Sequence, residues 1–259
     1  QAAVAALASN QKILIAAGTY NTTQILAVPA GTTNAVIRGA TGNRADVVIQ
    51  GPGMGDSSVP HGIYTSGATG LVIADLSVGN FYYHPLALYD VQQVRVYNVR
   101  VFDAGQQLLK SNPTAGATQF DGKVEYSVFE YTTTAPSDYT NGVDVHRGAN
   151  WQIRHCLFRN IRAPAASPIA GPAILMWNGA SDTLVEGNTF LNCARGISFG
   201  LTSKVGIDHS GGIIRNNVFH RSSSEPGDVG IMVAASPGTQ VLNNTVFVSP
   251  DHDLVIVWR

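Results

Sequence analysis

The segment Asn141-Gly142-Val143-Asp144-Val145-His146-Arg147-Gly148 holds the residues of this chain best suited to chemistry. Read as a strand with Val143 and Val145 turned inward, it puts Asp144 and His146 together on the opposite face, about 7 Å apart along the backbone. A carboxylate and an imidazole on one face are the parts of a proton transfer, and Arg147 beside them offers a cation to an anionic substrate. Two other segments alternate in the same way. QLLKSN (107–112) offers Lys110, and PAILMWNG (172–179) offers Trp177 once Ile174 and Met176 point inward.

If these segments stack one coil above another, Lys110, Asp144, His146, Trp177 and, at the start of the next strand, Arg195 form one outward column. Each has a plainer reading. A single His or Asp on a strand is commonly a hydrogen-bonded surface residue, Trp177 packs beneath a loop, and Lys110, one of four lysines, pairs with Asp144 for little stability if exposed. Convergence favours chemistry. Cations neutralise a carboxylate, a Lys or His removes a proton, and an aromatic face stacks on a sugar ring. Longer insertions at 131–141, 161–171, 201–211 and 221–229, rich in Pro, Ser, Thr, Gly and Tyr, are loops expected to wall a groove. They add secondary candidates. Arg162 joins Arg147 as an anion clamp, Tyr139 and Asp138 sit on one insertion, and Asp208 and His209 sit at the groove's edge.

The elements that position these residues are visible as a repeat. Val96–Val101, Val124–Phe129, Ile153–Phe158, Val185–Phe190, Ile214–Phe219 and Val241–Val246 read VYNVRV, VEYSVF, IRHCLF, VEGNTF, IRNNVF and VLNNTV, beginning 28, 29, 32, 29 and 27 residues apart. Such spacing suits a solenoid whose loops vary while its strands stay in register, which predicts an all-β fold, a parallel β-helix with one strand family per face. Stacking at about 4.8 Å puts like on like. Phe129, Phe158, Phe190 and Phe219 then form an internal stack. Ser127, Cys156, Asn188, Asn217 and Asn244 form a polar ladder at the fourth position, where Asn is expected to take left-handed dihedrals. Glu125, Arg154, Glu186 and Arg215 alternate in charge at the second.

Composition agrees with this reading. Charged residues make up 13% of the 259 residues and Gly accounts for 27, leaving many short strands and little helix. One domain, 1–259, is expected, with residues 1–10 as a helical N-terminal cap over the first coil. The last strand runs to Trp258 and Arg259 without a capping segment, which predicts continuation or association at that edge. A net charge of −1 gives no general attraction to nucleic acid or a membrane surface. No apolar run approaches the roughly 20 residues of a membrane span. Cys156 and Cys193 occupy different positions of the repeat, so they are expected to be buried thiols, neither a disulfide nor a metal site. No P-loop, GxSxG, HExxH, CxxC or dinucleotide motif occurs in a supporting context.

The opening ILIAAGTY (13–20) with VIRGATGNRADVVIQGPG (36–53) resembles the first coils of the chondroitinase-B and alginate-lyase-like family, right-handed parallel β-helix proteins that act on polysaccharides. Lys110, in Leu-Leu-Lys-Ser-Asn, resembles that family's proton-abstracting lysine. Arg147 is similar to its arginine that assists leaving-group departure. This chain departs from the pattern in reading His-Arg-Gly instead of Arg-His-Gly, and in a Lys110-to-Arg147 gap longer by about a coil. The paired glutamates that bind calcium in the family are absent, with Asp103 the one acid nearby. Asp144-Val145-His146 also resembles the Asp-Pro-His core of β-helix mannuronan C5-epimerases, with Val for Pro and no acid after the His.

Both resemblances imply removal of the C5 proton of a uronate. The activity they imply is β-elimination on a uronate-containing polysaccharide, with epimerisation, hydrolysis or non-catalytic glycan binding as the alternatives. Hydrolysis needs two carboxyl groups, and the column supplies Asp144 alone. The sequence requires no cofactor, calcium is possible, and a secreted or periplasmic location follows from the fold analogy.

Overall fold

The computed structural model describes residues 1–114, 116–164, 169–201, 206–222, 224–247 and 254–258. Arg259 and parts of the 161–171, 201–211 and 221–229 insertions therefore lie outside the described residues. Three nine-stranded sheets, each wholly parallel in its pairing, run the length of the stack. The repeated phrase supplies the first and second sheets. Val96 lies in strand Arg95–Tyr97 of the first and Val101 in strand Arg100–Ala104 of the second. The segments carrying Lys110, Asp144 and Trp177 belong to the third sheet, and a small four-stranded sheet follows it at the next corner. Helix Ala2–Ala5 lies over the first coil, with Val4 and Leu7 buried in the core.

The expected stacks are present. Phe129, Phe158, Phe190 and Phe219 lie nearly parallel at centroid spacings of 5.1, 5.0 and 4.5 Å. Glycine at the head of the third-sheet strands accommodates them. A Cβ on Gly142 would fall 2.9 Å from the Phe158 ring and 2.4 Å from the Ala173 carbonyl oxygen, so the second residue of strand Asn141–His146 has room only for a glycine. The charge ladder forms pairs, with Arg154 2.6 Å from Glu125 and Arg215 2.7 Å from Glu186. Burial alone would raise the Glu125 carboxyl, but hydrogen bonds and charge from Arg154 and Arg95 outweigh it and hold the group below its ordinary value.

One turn expectation needs correcting. The left-handed residue of the phrase is the third, at Asn98, Tyr126, His155, Gly187, Asn216 and Asn243, all with φ between 51° and 66°. The fourth points inward instead. Asn188 Nδ2 donates to Asn217 Oδ1 at 3.0 Å and Asn217 Nδ2 to Asn244 Oδ1 at 2.9 Å, while the same oxygens accept backbone N–H groups of the preceding coil. The sharp bend leaves backbone groups without sheet partners in the interior, and an inward amide supplies both a donor and an acceptor. Asn217→Ala should therefore strand two buried donors of Asn188 and cost at least about 2 kcal/mol, whereas Asn216→Ala carries only the left-handed backbone penalty of about 1 kcal/mol. Denaturant unfolding of the two variants separates the positions; equal losses would contradict the assignment.

Candidate functional site

Register in the third sheet decides which side chains meet. Lys110 pairs with Asp144, Asp144 with Leu175, and His146 with Trp177, while Leu109, Val143 and Ile174 fill the core between coils. Lys110, Asp144, His146 and Trp177 thus share one outer face, as the alternation requires. Lys110 Nζ lies 2.8 Å from Asp144 Oδ2 and 2.9 Å from His146 Nε2. Trp177 Nε1 donates to the other Asp144 oxygen at 2.8 Å, and the His146 ring stands edge-on to Trp177 with centroids 4.3 Å apart.

Burial grades across the cluster. Lys110 and Asp144 are 4% and 2% exposed, and His146 and Trp177 are half-buried. Lys110 Nζ donates to Asp144 Oδ2 and faces His146 Nε2 with a second hydrogen. The Asn178 amide nitrogen lies 3.2 Å from His146 Nδ1. Arg147 follows with φ 52°, which swings it out at the corner, exposed and with no carboxylate within 4.0 Å among the described residues.

The other candidates separate into those near the cluster and those that are not. Tyr139 is 57% exposed, and its carbonyl oxygen accepts from the Gln107 side chain at the start of the Lys110 strand. Arg195 stands two residues before Ile197, whose partner is Ile174, so it lies at the far end of its strand from Trp177. Its guanidinium forms two hydrogen bonds to Asp228, at 2.8 and 2.6 Å. Arg162 is paired with Glu225. Both arginines are committed to acids supplied by a later loop, so neither is the open anion site expected of it. Asp208 is buried and accepts backbone N–H groups from Asn178 and Leu201. Asp138 lies on the same exposed loop as Tyr139.

His209 is not a substrate contact. It is fully buried, stacked on Phe199 at 4.1 Å, and held by Ser236 and Thr183 at its two ring nitrogens. Alternation could not find this, because His209 belongs to the small corner sheet and faces the interior. Burial pushes its pKa down to about 3, and burial with the nearby His61 does the same to His84. Both stay neutral when folded while the unfolded chain protonates near 6.5. Stability is therefore complete above pH 6.5 and falls as pH drops toward 3. Urea midpoints measured across that interval should decline, with a shallower slope in His209→Gln.

Several neighbours were missed by the sequence reading. Tyr64 and Tyr89 lie on the coils N-terminal to Lys110, with rings 5.7 Å apart, and burial, Tyr64 and Asp144 raise the Tyr89 pKa to about 12. The same period-two rule applied to HGIYTS and HPLALY would have exposed them. The fit to calcium is poor. Asp103, the acid expected nearest, accepts hydrogen bonds from the Thr132 backbone and hydroxyl, and no three His, Cys, Asp or Glu side chains converge among the described residues. Cys156 and Cys193 are buried free thiols, each raised to about 12 by burial.

The winding, the three-sheet register and the internal ladders together define a right-handed parallel β-helix with a polar cluster on one face. Residues 121–252 match the family described as right handed beta helix region, and the chain belongs to it. Among solved structures it is similar to an alginate lyase from Paenibacillus sp. str. FPU-7, at 11% identity and TM-score 0.64, covering 99% of this chain and 94% of that one. It is also similar to pectate lyase Pel9A, at 14% identity and TM-score 0.58, covering 96% and 71%. PfbA, a surface adhesin of Streptococcus pneumoniae, shares the fold at 15% identity and TM-score 0.51, covering 89% and 71%. No curated protein matches in sequence. At these identities the likeness establishes the fold, which lyases and an adhesin hold in common.

Proposed function

We propose that this β-helix cleaves a uronate-containing polysaccharide by β-elimination, with Lys110 and His146 acting as one proton-handling pair. The observation that carries the reading is the 2.9 Å contact between Lys110 Nζ and His146 Nε2, anchored by Asp144 beneath. Arg147 neutralises the uronate carboxylate, which stabilises the enolate formed when the C5 proton leaves. Lys110 turns a hydrogen from His146 Nε2 toward the glycosidic oxygen, and the freed Nε2 of neutral His146, the more exposed of the two, takes that proton. The electron pair then forms the C4–C5 double bond as the C4–O bond breaks, and the Lys110 ammonium protonates the departing oxygen. Transfer from His146 back to Lys110 across their hydrogen bond restores the starting state. The C5 proton is thereby balanced by the one delivered to oxygen, and neither water nor a redox partner is consumed.

Trp177, whose indole is fixed by Asp144, offers the reacting ring an apolar surface. Hydrolysis is disfavoured because Asp144 is the one acid in its column and both of its oxygens are engaged. No helix among the described residues is long and apolar enough to cross a membrane. A secreted or periplasmic setting accords with a polysaccharide substrate. Incubating the protein with alginate, pectate and glycosaminoglycans, and following the ultraviolet absorbance of unsaturated uronate ends, tests the reaction. New reducing ends without that absorbance would mean hydrolysis, and glycan binding without any new ends would mean a binding module.

A further inference from the structure

The outer face carries a second recess, at the other end of the strands from Arg147. A cleft of about 290 Å³ opens between the turn at Tyr82 and Tyr83 and the 131–141 loop, lined by Met54, Tyr82, Tyr83, Gln106, Pro136 and Tyr139 among others. The Tyr82 and Tyr83 rings meet edge to face at 4.6 Å, and Tyr139 is largely exposed on the facing loop. Among the described residues no Arg, Lys, Asp or Glu lines this cleft, and the acid Asp138 stands exposed between the lining residues Ser137 and Tyr139. His61 and His84 pack behind Tyr83, at 5.7 and 6.0 Å between ring centroids, and burial keeps both neutral near pH 7.

The cleft is continuous with the cluster. Gln107 begins strand Gln107–Ser111 and donates to the Tyr139 carbonyl at 3.4 Å, and Lys110 stands three residues farther along. At the strand rise that separation is about 10 Å, the span of two pyranose units on a polymer laid along the strands. Arg147 lies beyond the opposite end, after strand Asn141–His146. The face is therefore polarised, cationic where the reacting carboxylate would sit and aromatic but uncharged two units away.

We infer that the cleft is a subsite for a neutral, unsulfated pyranose two units from the uronate that reacts, so that the substrate is a polymer in which an uncharged sugar lies two units along from a uronate. This rests on the uronate reading above. Tyrosine faces stack on the C–H surface of a pyranose, and the Gln106 amide with the phenol hydroxyls serves sugar hydroxyls. A carboxylate or sulfate entering the same space would lose hydration with no cation to replace it.

Affinities of the intact protein for two defined probes test the subsite, an oligosaccharide whose reacting uronate has a neutral hexose two units away and a homouronate of equal length, by titration calorimetry. The mixed probe should bind about tenfold tighter, a ratio that one well-placed aromatic contact sustains. Tyr82→Ala should erase the preference, and Gln106→Arg, which adds a cation to the cleft without removing a ring, should reverse it. Equal affinities in the parent protein, or a preference unchanged in both variants, overturns the subsite. A preference that responds to both variants while neither probe is cleaved upholds the subsite and removes the lyase reading alone.

Discussion

Asp144→Ala should destabilise the fold by about 3–5 kcal/mol, the range for removing one partner of a buried ion pair. Two neighbours depend on this carboxylate. It accepts from Lys110 Nζ on one oxygen and from Trp177 Nε1 on the other, and it is 2% exposed. Without it a nearly buried ammonium has only the His146 nitrogen opposite it, and the indole N–H loses its acceptor. The loss should appear as a lower urea midpoint with an unchanged slope. Replacing both charges, Lys110→Met with Asp144→Leu, should recover most of the stability, because apolar groups of similar volume suit a buried pair's site. The double variant should nevertheless be inactive. A stable, active double variant would show that the pair is merely structural and takes no part in the chemistry.

His146→Ala and Lys110→Ala should each lower turnover of a cleaved uronate polymer by about 10²–10⁴-fold, the usual contribution of a positioned acid or base. The two groups pass one proton between them in the proposed cycle, so the double variant should lose little more than the worse single one. Additive losses would mean that the residues act in separate steps. Arg147→Ala should lower turnover by about 10²–10³-fold, the scale of removing one group that stabilises developing negative charge. Arg195→Ala and Arg162→Ala should leave turnover near that of the parent, because their guanidinium groups already bind Asp228 and Glu225. Full activity in both His146→Ala and Lys110→Ala would eliminate the proposed pair.

The separation between Arg147 and the other arginines shows where sequence reasoning stopped. Strand alternation assigns a residue to a face but says nothing of the loop that will reach it. Asp228 and Glu225 come from the 221–229 insertion, one coil after Arg195 and two after Arg162, and no periodicity links them to those arginines. His209 failed differently. Its neighbours Asp208 and Ser210 give no apolar alternation, so the corner sheet that turns it inward left no trace in the pattern. The phrase's third and fourth positions were confused because Asn occupies both in IRNNVF and VLNNTV, and only backbone dihedrals tell a bent residue from an inward one.

The sequence by itself determined the winding and the shared face. Valine, isoleucine and phenylalanine recurring once per coil must stack in the interior, since parallel in-register strands place identical positions over one another. Alternation about Val143 and Val145 then forces Asp144 and His146 outward, where the coil before delivers Lys110 and the coil after delivers Trp177. Only the tertiary structure decided which charges were free and which were spent. That depends on distances of a few ångströms between a strand and a loop remote in sequence, where side-chain reach rather than backbone period sets the partner.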